Sequence, residues 1–143
     1  MEGNTEVVPQ IHDMIIKPEY FYMVKDGIKK YEARTNDSRR RIMRVGDYIK
    51  LMKEPELTEV IWLRITNKIE FDTFTELYDA LPKRDVGFEG RTTESIVQEL
   101  RRFYTEEKER ETGVVAIEVE LAEEPEIAKK PITRRLTQIR RTF

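Results

Sequence analysis

Cysteine is absent from this 143-residue chain, and histidine occurs once, as His12. The first absence excludes disulfides, thiolate metal sites and thiol nucleophiles; the second excludes a histidine-based zinc centre. Neither a metal nor a cofactor is therefore expected, and any chemistry must use Lys, Arg, Asp, Glu, Tyr, Ser or Thr. Long apolar runs are missing too, with nothing near the ~20 residues that a membrane span needs. The opening "MEGNTEVVPQ" has no basic region followed by an apolar one, so no secretory signal is read there. The expectation is a cytoplasmic protein with no membrane contact. Internal repeats are also lacking.

What the chain does have is charge: 38% of it is Asp, Glu, Lys or Arg, as much as is hydrophobic. That balance describes one domain with a very polar exterior, since a chain of this size buries roughly 68–70% of its unfolded surface. The formal net charge of −2 conceals an asymmetry. Residues 123–143 hold six basic side chains (Lys129, Lys130, Arg134, Arg135, Arg140, Arg141) against three acidic ones (Glu123, Glu124, Glu126), giving +3 there and −5 elsewhere. Clustered basic charge matters more to a polyanion than the total does.

Read for periodicity, residues 1–10 form a flexible lead-in, 11–122 a domain and 123–143 a charged tail. "IHDMIIKP" reads as a strand. Pro18 then opens a helix, whose apolar side is Tyr20, Phe21 and Val24 and whose stop is Gly27. "KKYEART" is a strand, "NDSRRRIMRVGD" an irregular connection with a turn at Gly46-Asp47, and "DYIKLMK" another strand. In "EVIWLRITNKIEF", Ile61, Leu63, Ile65, Ile69 and Phe71 give one buried face at period two on a long, bent strand, with Trp62 and Phe71 expected in the core. Thr73 and Glu76 have capping-box spacing, which predicts a helix from about Thr73 to Pro82.

"KRDVGFEGR" is a loop. Ile96, Val97, Leu100, Phe103 and Tyr104 then form an apolar stripe, predicting one helix from about Thr92 to Glu111 with a solvent-facing second half. In "VVAIEVEL", Val115, Ile117, Val119 and Leu121 face inward while Glu118 and Glu120 face water. The order of elements is that of a small α+β domain on a curved or barrel-like sheet, with a helix after the first strand and two helices before the last.

The chemically dense stretch is "GIKKYEARTNDSRRR", residues 27–41. Gly27 permits positive φ and close approach of a ligand to backbone. Lys29 is expected to overhang a cleft between helix and sheet, as a base if burial lowers its pKa or as a phosphate-binding charge if it stays wet. Glu32 and Arg34, two apart on a strand, share a face and together accept and donate hydrogen bonds, as a planar base or amide requires. The alternative is a surface ion pair of little energetic value. Arg39, Arg40 and Arg41 form an arc suited to phosphates, or else a solvated turn. Tyr31 can stack on a base at the cleft mouth. Asn36 and Asp37 read as turn formers.

Gly27, Lys29, Glu32, Arg34, Asn36, Asp37, Arg40, Ile42, Gly46, Asp47 and Ile49, in that order, resemble the ASCH family. The resemblance extends over roughly residues 11–121 and implies a PUA-like β-barrel fold. Some small bacterial ASCH members are amidohydrolases that remove acyl groups from acetylated cytidine. For these the resemblance implies a lysine, a threonine nucleophile three residues later and a glutamate in a later loop. Lys29 matches the lysine and Glu89 the glutamate, but Glu32 stands where the threonine belongs, and a carboxylate cannot form the same acyl ester through a hydroxyl.

The expected function is therefore binding of RNA or a modified nucleoside around Lys29, Tyr31, Glu32, Arg34, Arg39, Arg40, Arg41 and Glu89. The alternative is a small hydrolase, acting on acylated cytidine or RNA phosphodiesters, with Lys29, Glu32 and Glu89 as its catalytic set. The tail, where Leu136, Ile139 and Phe143 recur at helical spacing, could instead dock on a protein partner.

Overall fold

The computed structural model describes residues 7–129; the charged stretch beyond it, including Leu136, Ile139 and Phe143, lies outside the described residues. Five strands form one sheet in the order β1-β3-β4-β5-β2. They are β1 (Ile11–Ile16), β2 (Tyr31–Thr35), β3 (Tyr48–Lys53), β4 (Val60–Phe71) and β5 (Val114–Ala122). β1 runs parallel to β3, and the other neighbours are antiparallel. The sheet curls into a half-barrel with helices α1 (Pro18–Lys25), α2 (Ser38–Arg41), α3 (Phe74–Ala80), α4 (Thr93–Leu100) and α5 (Glu106–Thr112). Among the described residues, no helix is long and apolar enough to cross a membrane.

Local chemistry sets these boundaries. Pro18 starts α1, where its missing N–H costs nothing. Gly27, at φ 76°, ends it. There Ile28 N–H donates to the Met23 carbonyl and Gly27 N–H to that of Val24, the two bonds of a Schellman stop. Thr73, Thr92 and Thr105 cap α3, α4 and α5, each hydroxyl accepting from the backbone N–H three residues on. In the stretch expected to be irregular, Asp37 accepts from the N–H groups of Arg39 and Arg40 and so nucleates α2. Lys68 closes the far end of α2 by donating to the carbonyls of Arg40 and Met43.

Apolar side chains collect in two clusters, one on each side of the sheet. The first joins Met14, Phe21, Val24, Ile49, Leu51, Leu63, Ile65, Val115 and Ile117; the second joins Phe74, Leu77, Tyr78, Val86, Ile96, Val114 and Ala116. This division corrects three expectations. A bulge in β4 pairs Ile65 with Val119 and Asn67 with Glu118, leaving Thr66 as the extra residue. One extra residue inverts the face of everything after it. Ile61, Leu63 and Ile65 thus enter the first cluster, whereas Ile69 and Phe71 pack on the second. Trp62 is half-buried and belongs to neither.

β5 is buried on both faces over Val114–Ile117 because α3 and α4 cover its outer side, while Leu121, expected inside, is 51% exposed. The predicted long helix is two: α4 ends at Leu100, and α5 begins after the Thr105 cap. Nor is the second half wholly solvent-facing. Glu109 is buried, accepting from Phe74 N–H at 2.8 Å and from Arg101 at 3.0 Å.

Candidate functional site

β1 and β2 are the two outermost strands of the sheet, yet Ile15 and Ile16 of one and Glu32 and Arg34 of the other line the same cavity. Curling of the half-barrel brings its two free edges to one place. The cavity, about 280 Å³, sits in that seam. α1 contributes Tyr20; the loop around a one-turn 3-10 helix at Arg84–Val86 contributes Phe88; the connection between α4 and α5 contributes Phe103 and Tyr104.

Lys29 does not overhang this cavity as a wet side chain; it is 7% exposed and forms part of the wall. Its ammonium donates to Glu32 Oε2 and to the Tyr31 carbonyl, both at 2.6 Å. The other Glu32 oxygen, Oε1, accepts from Arg34 at 3.2 Å. A carboxylate thus lies between two cations. Burial depresses the Lys29 pKa, and the adjacent Glu32 charge only partly restores it. Burial alone would raise the Glu32 pKa, but the charges and hydrogen bonds of Lys29 and Arg34 outweigh it and hold the carboxyl below the usual range. For Arg34 burial disfavours the charge, but Glu32 and Tyr104 together more than compensate, so its pKa is raised.

Facing these charges is an aromatic wall. Tyr20 meets Phe88 edge-on with ring centroids 5.7 Å apart, Phe88 meets Tyr78 at 5.7 Å, and Tyr78 connects through Phe74 to Tyr104. Burial pushes the hydroxyls of Tyr20 and Tyr78 upward, so both remain protonated donors at neutral pH.

The cavity therefore unites Lys29, Glu32 and Arg34 among the residues singled out in the sequence. Tyr31 does not line it: its carbonyl accepts from the Lys29 ammonium, and its ring packs on the second cluster. Glu89 is exposed outside the cavity, and the neighbouring Phe88 points in its place. Of the arginine run, Arg39 is exposed, and Arg41 donates to the backbone carbonyls of Asn36 and Thr112. Arg40 is 9% exposed, and its Nε has no hydrogen-bond partner among the described residues. The aromatic wall escaped sequence reading because Tyr20, Phe103 and Tyr104 each complete an apolar helical stripe, and such a stripe reads as core. Among the described residues, no group of three or more His, Cys, Asp or Glu side chains could hold a metal ion.

The family model for the ASCH domain matches residues 14–123, most of the chain. The chain belongs to the ASCH domain family. No curated protein matches it significantly. Among solved structures, this ASCH domain resembles the hypothetical protein PH0355, with 29% identity, a TM-score of 0.70, and coverage of 79% of this chain and 99% of that one. It also resembles protein PF0455 from Pyrococcus furiosus, with 32% identity, a TM-score of 0.65, and coverage of 80% and 99%. An ASCH domain from Lactobacillus crispatus shares the fold at 14% identity, with a TM-score of 0.53 and 79% of both chains covered. The fold is the mixed α+β, PUA-like one that the motif implied.

Proposed function

We propose that this ASCH domain binds RNA or a modified nucleoside by taking one base into the seam cavity. The observation that carries the reading is the pairing, in one small cavity, of an aromatic wall with a buried acceptor-and-donor edge, Glu32 beside Arg34. Binding sites for planar heterocycles need those two parts: π-faces for stacking, and a few fixed polar groups that read the base edge. At about 280 Å³ the cavity lies at the small end of ligand pockets, so the ligand enters as a single base or nucleoside. Arg40 lies outside the cavity lining, and its Nε, buried without a partner among the described residues, is not open to an incoming anion. Arg39 adds surface charge, and Arg41 is held by backbone carbonyls.

The hydrolytic alternative has less support. Both Glu32 oxygens are engaged and its carboxyl is held below the usual range, which makes it a weak proton acceptor. Glu89 stands outside the cavity, and no hydroxyl occupies the position three residues after Lys29.

Titration of the four ribonucleosides and N4-acetylcytidine by calorimetry tests the reading. At least one should bind saturably, acetylated cytidine should release no acetate, and Arg34→Gln should weaken the bound nucleoside about tenfold, a charge-assisted hydrogen bond being lost. Absence of any nucleoside binding at millimolar concentration would overturn it.

A further inference from the structure

Phe103 is the most exposed aromatic among the described residues: it is 61% exposed, yet it lines the mouth of the cavity whose interior holds its neighbour Tyr104. It stands there because the chain leaves α4 at Leu100 and does not re-enter a helix until Glu106. Had one helix continued, Phe103 would have stayed on the buried stripe with Ile96 and Leu100. Isolated exposed apolar residues are ordinary, but this one has company. The Lys17 ammonium lies 5.0 Å from its ring centroid, and Lys17 lines the same mouth.

We propose that Phe103 and Lys17 form a second-nucleotide subsite, so that the ligand is single-stranded RNA, with one base in the cavity and the adjacent base stacked on Phe103. The inference rests on the nucleoside reading of the cavity and adds to it the length of the ligand. An aromatic ring beside a cation is the minimal unit that binds a nucleotide without regard to sequence: the ring takes the base face, the cation the phosphate. Lys17 does not block the subsite, because it covers one face of the ring only, and an exposed cation–π contact is weak beside base stacking. Continuity with the cavity favours RNA over a protein partner, since a base held inside necessarily carries its neighbour's phosphate and base to the mouth. Glu54, also on the cavity lining, repels phosphate and so favours the Lys17 side for the backbone.

The test compares fluorescein-labelled pentamers of A, C, G and U with the four ribonucleosides and N4-acetylcytidine, on the full-length protein and its Phe103→Ala, Phe103→Trp and Lys17→Ala variants. The best pentamer should bind wild type more tightly than its nucleoside. Phe103→Ala should weaken that pentamer about tenfold or more and its nucleoside by much less, with the melting temperature unchanged, and Phe103→Trp should preserve pentamer binding; equal losses for pentamer and nucleoside would overturn the second subsite. Lys17→Ala should reduce the slope of log affinity against log salt by about 0.7, one single-strand phosphate contact. Pentamer affinity indifferent to Phe103 would overturn the subsite while leaving the cavity reading intact, as would a change of oligomeric state in Phe103→Ala without loss of RNA. A wild type that binds neither pentamers nor nucleosides would overturn both.

Discussion

Lys29 is where position and environment part company. Its place just after the helix stop made it a site residue in the sequence, but nothing in "GIKKYEAR" states that it is buried. The reason lies sixty residues away in the chain, roughly, at Gly87. A Cβ there would sit 3.1 Å from Lys29 Cδ and 3.3 Å from Cε, and φ at Gly87 is +88°. Only glycine lets the loop close over the lysine methylenes without strain. Enclosed in this way, the ammonium needs Glu32, and a lone substitution leaves that carboxylate buried with Arg34 as its remaining charged partner. Lys29→Met should therefore cost about 3 kcal/mol in chemical denaturation, at the low end for breaking a buried pair because Arg34 persists. The double variant Lys29→Met with Glu32→Gln should recover at least half of that loss. A double variant destabilised by the sum of the separate Lys29→Met and Glu32→Gln losses would mean that Lys29 and Glu32 are not coupled.

Among the elements, the clearest gap between sequence and structure is the division of the expected 92–111 helix. Ile96, Val97 and Leu100 do face the second cluster, so the stripe was real; its continuation was not. The signal for a second start was present in Thr105-Glu106-Glu107, a cap residue followed by acids that suit a helix N-terminus, but apolar periodicity at Phe103 and Tyr104 masked it. Thr105→Ala should lower stability by about 1 kcal/mol, measured by denaturant midpoint. It should also weaken pentamer binding more than nucleoside binding, since the cap fixes the connection that presents Phe103. A stable variant with unaltered RNA affinity would show that the connection is held by Glu109 and Arg101 alone. The β4 bulge left no comparable trace, because Ile61 to Ile65 and Ile69 to Phe71 share the same parity in sequence. Only the pairing with β5 shows that one residue has been skipped.

At the scale of the molecule, the site exists only because both free edges of the sheet are fixed, and each edge is held by a buried carboxylate. Glu32 lies on the β2 edge. On the β1 side, Asp47 accepts from the backbone N–H groups of Gln10 and Arg44 and from the side chains of His12 and Arg44, pinning the start of β1 alongside β3. For each group burial alone would raise the pKa, but these partners outweigh it and the folded value is lowered. The unfolded chain, with ordinary values of 4.5 for Glu and 3.8 for Asp, thus binds protons first as pH falls. The stabilisation is complete above those ordinary values and is lost as pH falls through the lower, folded ones.

Acid should therefore loosen both edges of the half-barrel together, and nucleoside binding should fail over the same pH range as unfolding rather than before it. Glu32→Gln should lower stability at neutral pH yet flatten the acid limb, by at most about 1.4 kcal/mol per pH unit for the one proton removed. Asp47→Asn should do the same from the opposite edge. The measurement is stability by denaturant from pH 7 downward for wild type and both variants. An acid limb as steep in Glu32→Gln as in wild type would mean that the Glu32 carboxyl titrates alike in the folded and unfolded chain, and that the ion trio at the seam does not hold the β2 edge.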